Sequence, residues 1–214
     1  NSERLQKIEL FGGEPFLNKR NQKLLIDKLI EKGTSKKITL YFNTNGTLFD
    51  DKFMEHITNN FKFVEIRLSI DGLYKQFEYL RYGADFEKVC INAKKFKALP
   101  NTDFEIICTV SIFNLLSLDA IDNFCKERNW SVYFNVANWP DYLLLHNIPE
   151  ETKKHINLGP KFADIEQYMK MKQCDQSAWK QFVQYTTELD KNRGLSFKNT
   201  FPTLYELVKK HGYE

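Results

Sequence analysis

Closely spaced cysteines are missing from this chain. Its 214 residues hold four, Cys90, Cys108, Cys125 and Cys174, and no two form a CxxC pair or another metal-ligand spacing. Cys108 falls in a strand-like run, and Cys90 and Cys125 fall on helical patterns, so the four read as buried free thiols in a reducing cytosol. No apolar run approaches the length of a membrane span, and no signal-peptide pattern opens the chain, which points to the cytoplasm and away from a membrane. Neither sign of charge dominates. Against 31 Lys and Arg stand 28 Asp and Glu, a net charge of +3, too balanced to argue for a nucleic-acid partner. Lysines such as Lys94, Lys95 and Lys97 are spread along helical stretches as a solvated face. There is no repeat, low-complexity tract or flexible linker. The first residues, Asn1-Ser2-Glu3-Arg4, lack an initiator Met, and the chain reads as an excerpt of a longer protein.

What is present is 42% hydrophobic and 14% aromatic, enough for one domain with a real core. Five β-rich runs recur: Lys7–Phe11, Ile38–Phe42, Phe63–Ile70, Phe104–Val110 and Val132–Val136. Helical patterns fill the gaps at Asn21–Lys32, Asp50–Phe61, Asp85–Leu99 and Ser117–Arg128. Gly33 is a good C′ stop for the first, and Asp50 or Asp51 suits the cap of the second. Strand–helix alternation at this spacing predicts βαβ units and a parallel sheet. After Trp139-Pro140 the pattern turns helical, at about 150–158, 161–172, 178–192 and 203–210.

The strand period of two separates two faces. Val64, Ile66, Leu68 and Ile70 oppose Glu65, Arg67, Ser69 and Asp71. Ile38, Leu40 and Phe42 oppose Thr39, Tyr41, Asn43 and Asn45. Ile106, Cys108 and Val110 oppose Glu105, Ile107, Thr109 and Ser111, and Val132, Phe134 and Val136 oppose Tyr133 and Asn135. A parallel sheet buried on both faces is nearly continuously apolar. Here one face suits covering helices and the other is polar. An unpartnered buried polar group costs about 1–3 kcal/mol. The polar residues therefore either bond one another or line a wet or ligand-filled concavity. The pattern favours the second, an open, partly closed barrel with a cavity inside.

Polar, glycine-containing segments follow these strands, where ligands sit in α/β folds. Gly12-Gly13-Glu14-Pro15 comes first. Its glycines admit positive φ or close approach of a ligand, and Pro15 keeps Glu14 out of the αR region. Bare carbonyls beside one carboxylate suit an ammonium and suit a phosphate poorly. Taken alone, the tetrapeptide also fits a plain strand-to-helix turn. Asn43-Thr44-Asn45-Gly46-Thr47 comes next, then Ser69-Ile70-Asp71-Gly72 with Arg81 downstream. Thr109-Val110-Ser111 leads to Asn114, and Asn135 stands before Trp139-Pro140.

In that order the set resembles the radical S-adenosylmethionine superfamily, nearest its peptide-modifying branch with SPASM or twitch extensions, over residues 7–140. The resemblance implies an α/β fold: a partial, open (β/α)6 TIM-type barrel of parallel strands. Residues 1–140 would form a truncated barrel, and residues 141–214 a helical C-terminal extension packed on the same domain. It implies S-adenosylmethionine and a 4Fe-4S cluster as cofactors, and reductive cleavage to a 5′-deoxyadenosyl radical. A peptide substrate and an electron donor such as flavodoxin or ferredoxin would be partners. Gly12, Gly13, Glu14 and Pro15 match the segment that meets the methionine ammonium. Ser69 and Asp71 match positions near the ribose and the methionine moiety. Arg81 resembles the arginine that pairs with the methionine carboxylate, which a guanidinium fork suits. Asn45, Thr109 and Asn135 would lie nearby on the inner face.

The superfamily's CxxxCxxC loop is absent. None of the four cysteines carries over as a cluster ligand. The expectation is that those ligands lie upstream, that this piece alone is inactive, and that its first strand is left with an exposed edge. Two other readings stay open: a degenerate barrel that holds a nucleoside without catalysis, and an unrelated barrel isomerase or aldolase. The last would want a glycine-rich phosphate site after the final strands, where this chain has Trp139-Pro140 instead.

Overall fold

Alternation of apolar and polar side chains builds one open sheet whose strand order follows the chain. The computed structural model describes residues 4–10, 12–17 and 19–213. The strands are β1 (Lys7–Leu10), β2 (Thr39–Thr44), β3 (Phe63–Ser69), β4 (Thr102–Val110) and β5 (Ser131–Val136). Their order is β1-β2-β3-β4-β5, so β1 and β5 are the edges. β1 with β2, β2 with β3 and β3 with β4 pair in parallel, with Leu10 opposite Phe42, Phe42 opposite Ile66 and Ile66 opposite Phe104. Phe11, the expected last residue of the first strand, lies outside the described residues, as do Asn1, Ser2 and Glu3 of the opening segment.

The helices are α1 (Lys19–Glu31), α2 (Asp51–Asn60), α3 (Lys75–Leu80), α4 (Phe86–Lys97), α5 (Leu118–Glu127), α6 (Glu150–Lys153), α7 (Ala163–Lys170), α8 (Gln176–Arg193), α9 (Phe197–Thr200) and α10 (Pro202–Val208). α2 starts at the aspartate cap expected there, and α4 starts at a further one. Asp50 accepts from the Phe53 N–H and Asp85 from the Lys88 N–H. α3 and α9 are short additions to the expected pattern, and α6 is shorter than the helix expected there. Among the described residues, no helix is long and apolar enough to cross a membrane.

The chain falls into two units. The first comprises Asn1–Ile70, Gly83–Ile107 and Cys125–Tyr133. In it the apolar strand face is sealed: Leu40, Phe42, Val64, Ile66 and Leu68 are fully buried. Phe42 stacks on Phe16 with ring centroids 5.5 Å apart and meets Phe53 of α2 edge-on at 6.4 Å. Phe96 of α4 lies 5.7 Å from Phe16. In-order strands with right-handed crossovers place their helices on one face, and these contacts identify it. Truncating a ring such as Phe42 to Ala would cost about 3–5 kcal/mol.

On the opposite face of this unit, part of the surface follows the alternative in which the polar residues bond one another rather than line a wet or ligand-filled concavity. Over its charged part, the polar groups bond one another. Arg67 Nη2 lies 2.9 Å from Asp103 Oδ2, and its Nε lies 3.3 Å from Glu105 Oε2. Lys7 Nζ lies 3.0 Å from Glu65 Oε2, and both cations sit over the Tyr41 ring. Cross-strand neighbours of opposite charge satisfy each other with no ligand needed.

The second unit comprises Asp71–Tyr82, Cys108–Phe124 and Phe134–Glu214. Its core is aromatic. Phe113 packs against Phe182 at 5.1 Å and Phe201 at 5.4 Å, and Tyr79 meets Phe201 edge-on at 5.3 Å. The Asp190 carboxylate accepts the Tyr79 hydroxyl at 2.9 Å and the Phe197 N–H at 2.7 Å, which ties α3 to the start of α9.

Candidate functional site

In the first unit the candidate residues gather around one carboxylate. Gly12 and Gly13 follow β1 at φ +93° and +59°, conformations that disfavour a side chain, and both are exposed. No described backbone donor reaches either carbonyl. Glu14 and Pro15 are buried, and Pro15 opens a single 3-10 turn, Pro15–Leu17. Glu14 is only 7% exposed, so its carboxylate needs partners. Its Oε1 accepts the Thr44 hydroxyl at 2.7 Å and the Phe16 N–H at 3.2 Å, and its Oε2 accepts the Asn45 N–H at 2.7 Å.

The same bonds order the turn after β2. Thr44 Oγ1 accepts the Gly46 N–H at 3.1 Å, and the Gly46 carbonyl accepts the buried Asn92 amide at 2.8 Å. Asn45 Oδ1 accepts both the N–H and the hydroxyl of Thr47, at 2.9 and 2.7 Å. Ser69, the last residue of β3, donates to Asn43 Oδ1 at 3.3 Å. Thr44 is fully buried behind the polar face, so period-two reading of that face passes over it.

In the second unit Asp71 is the hub. Its Oδ2 accepts Arg81 Nη2 at 2.6 Å and Nε at 3.1 Å, and its Oδ1 accepts the Thr109 N–H at 2.8 Å. Asn114 is fully buried behind them. Its amide nitrogen donates to the carbonyls of Asp71 at 2.8 Å and Thr109 at 2.9 Å, and its Oδ1 accepts the Ser111 N–H at 2.8 Å. Asn114 stands in the Thr109-Val110-Ser111 motif as its final residue, a signal that marks it without showing its role. Asn135 is exposed on β5, and its side chain makes no hydrogen bond among the described residues.

The parallel, in-order sheet with its covering helices has counterparts among solved structures. The fold is similar to that of anSMEcpe. A histidine-tagged anSMEcpe with bound AdoMet is 27% identical over 64% of this chain and 38% of that chain, with a TM-score of 0.52. "Native anSMEcpe with bound AdoMet and Kp18Cys peptide" is 22% identical over 88% of this chain and 48% of that one, also at 0.52. The corresponding Cp18Cys peptide structure is 22% identical over 75% and 48%, at 0.50. The chain thus spans under half the length of these anSMEcpe chains. The likeness supports the radical S-adenosylmethionine superfamily. No protein-family model matches the sequence, and neither does any curated protein.

AdoMet and a cluster make different demands on this chain. Two exposed glycine carbonyls without backbone donors beside a carboxylate fit a ligand ammonium. A cluster needs thiolates, and the cysteines do not supply a site. Cys108 and Cys125 are buried, Cys90 and Cys174 are partly exposed against the expectation for all four, and none of the four forms a disulfide. Burial, the largest influence on each, pushes the Cys90 and Cys174 thiols up, away from the thiolate. Among the described residues no three His, Cys, Asp or Glu side chains gather as metal ligands. The residues present do not fit an iron–sulfur cluster.

Proposed function

We propose that this chain is an AdoMet-binding core of a radical AdoMet enzyme, with a (β/α)6-type partial barrel as its frame and residues 141–214 as a helical extension. The observation that carries the reading is the loop after β1: two left-handed glycines with open carbonyls, braced by a buried carboxylate, in a fold similar to AdoMet-bound structures. Gly12 and Gly13 would hold the ammonium, and the Glu14 charge makes that place favourable to a cation. Arg81 would meet the methionine carboxylate, while Ser69, Asp71, Thr109 and Asn135 would serve the ribose and its surroundings. When bound, AdoMet supplies a sulfonium for reductive cleavage. The cluster that would reduce it has no fitting ligands here, so this reading assigns the cluster to residues outside this sequence. A peptide substrate remains part of the proposal because the superfamily branch it resembles modifies peptides.

Calorimetric titration of AdoMet into the chain tests the reading. Saturable one-to-one binding, competed by S-adenosylhomocysteine, is expected. Absence of binding to the folded chain would refute it.

A further inference from the structure

Glu14 sits in the segment assigned to the ammonium, yet its carboxylate is already spent on the chain itself. Three donors occupy it, from Thr44, Phe16 and Asn45, and a carboxylate has about four acceptor sites. Asn45 is held on both sides. Its backbone N–H goes to Glu14, and its side-chain oxygen goes twice to Thr47. The Thr47 N–H can only donate, so the atom facing it is the oxygen, and the orientation of the amide is settled. The Asn45 NH2 group then donates to no described residue, on a half-buried side chain locked in place.

We propose that Asn45 is a ligand-binding residue and that Glu14 is its positioning residue. The Asn45 NH2 is aimed at an uncharged acceptor on the nucleoside half of AdoMet, a ribose hydroxyl or a ring nitrogen. This rests on the AdoMet reading and goes beyond it in the role of both residues. An NH2 group cannot receive an ammonium. The methionine carboxylate is disfavoured because the Glu14 carboxylate is bonded to the backbone N–H of the same residue at 2.7 Å, and like charges repel in a half-buried site. A neutral acceptor is what remains. Preorganisation is the gain: the donor arrives already oriented, with no rotamer freedom to lose on binding.

The experiment compares AdoMet with 5′-methylthioadenosine, which keeps the nucleoside and lacks both ammonium and carboxylate. Asn45→Ala should weaken both ligands by about tenfold, the loss of one hydrogen bond. Glu14→Gln sets an amide donor against the Asn45 N–H and should weaken both ligands, AdoMet further because the charge that favours its ammonium is also lost. The double variant should bind no more weakly than the weaker single one. Thr47→Val, which removes the hydroxyl bond to the Asn45 oxygen and leaves only the backbone one, is the second variant should Glu14→Gln fail to fold, and it too should weaken both ligands. A Glu14→Gln loss confined to AdoMet would show direct contact with the ammonium and overturn the proposal. Unchanged binding by Asn45→Ala, or single losses that multiply in the double variant, would also overturn it.

Amide hydrogen exchange supplies a readout that needs no ligand. Glu14→Gln should speed exchange at Asn45 by tenfold or more while Leu40 and Phe42 stay protected. Unchanged exchange at Asn45 would remove the positioning role. If the folded wild type binds neither compound, the AdoMet reading fails, and exchange still decides whether Glu14 holds Asn45.

Discussion

The Arg81 guanidinium lies on the Asp71 carboxylate, with Nη2 at 2.6 Å and Nε at 3.1 Å from the same oxygen, Oδ2. The other oxygen holds the Thr109 N–H. Both side chains are partly buried, at 26% and 17% exposed, so the pair is neither a free surface contact nor a sealed one. Arg81→Ala should therefore lower stability by only about 1 kcal/mol. On the AdoMet reading it should also reduce affinity by tenfold or more, and Arg81→Lys should recover only part, since a lysine keeps the charge without the fork. Urea melts and calorimetry separate the two effects. A loss of stability with AdoMet affinity intact would make Arg81 structural.

Asn114 presents the sharper energetic case. Removing its amide leaves the Asp71 and Thr109 carbonyls and the Ser111 N–H without their partner in a fully buried place. Asn114→Ala should cost about 2–4 kcal/mol, more than any exposed substitution nearby. Asn114→Asp should be no better, because a carboxylate oxygen would face two carbonyl oxygens. Chemical denaturation checks the order, with Asn135→Ala as the near-neutral control on exposed β5.

Alkaline pH should find the Tyr79–Asp190 clamp. Burial, the largest influence, pushes the Tyr79 phenol well above its ordinary range, and the hydrogen bond to the Asp190 carboxylate pushes it further. The folded state therefore holds the proton more tightly than the unfolded chain. Its contribution is fully present below the unfolded pKa, about 10, and is lost as pH rises beyond that toward the folded value. Each such group can remove at most about 1.4 kcal/mol per pH unit. Tyr213, raised by burial and bonded to Thr186, acts in the same direction. Urea midpoints should stay level through about pH 9 and drop above about pH 10, and Tyr79→Phe should flatten that drop.

The strands are legible because burial has period two. Leu40, Phe42, Val64, Ile66 and Leu68 announce a covered face, and the structure buries all five. The charged residues opposite are not legible in the same way. A list of Glu65, Arg67, Asp103 and Glu105 does not say whether they face a ligand or each other. Only the register that sets Arg67 opposite Glu105 decides it. The glycine loop after β1 stands out because two adjacent glycines need explaining, whereas Thr44 hides on the apolar side of its strand. α3 is six residues long and follows Tyr74 at φ +50°, too short and too oddly entered for a periodic pattern to reveal. Asn114 is visible as a residue of a motif, but its role depends on a loop 43 positions earlier.

Gly46 and Gly12 both have positive φ, +74° and +93°, yet they should answer differently to alanine. At Gly12 an added Cβ meets nothing within 4 Å, so the loss should be about 1 kcal/mol of backbone strain. At Gly46 the new carbon would stand 2.8 Å from Leu68 Cδ1 and 3.1 Å from Val89 Cγ1, two side chains packed in the core. Overpacking adds about 1–3 kcal/mol to the strain, for a total of about 2–5 kcal/mol. The damage also lands on the turn that Glu14 and Asn92 brace. Gly46→Ala should thus lower the melting temperature several degrees more than Gly12→Ala. On the AdoMet reading, Gly12→Ala should retain the fold and lose ligand affinity. Scanning calorimetry with and without AdoMet reads both quantities at once. Equal destabilisation by the two substitutions would mean that Leu68 and Val89 yield, and that the turn after β2 is not held as tightly as its hydrogen bonds indicate.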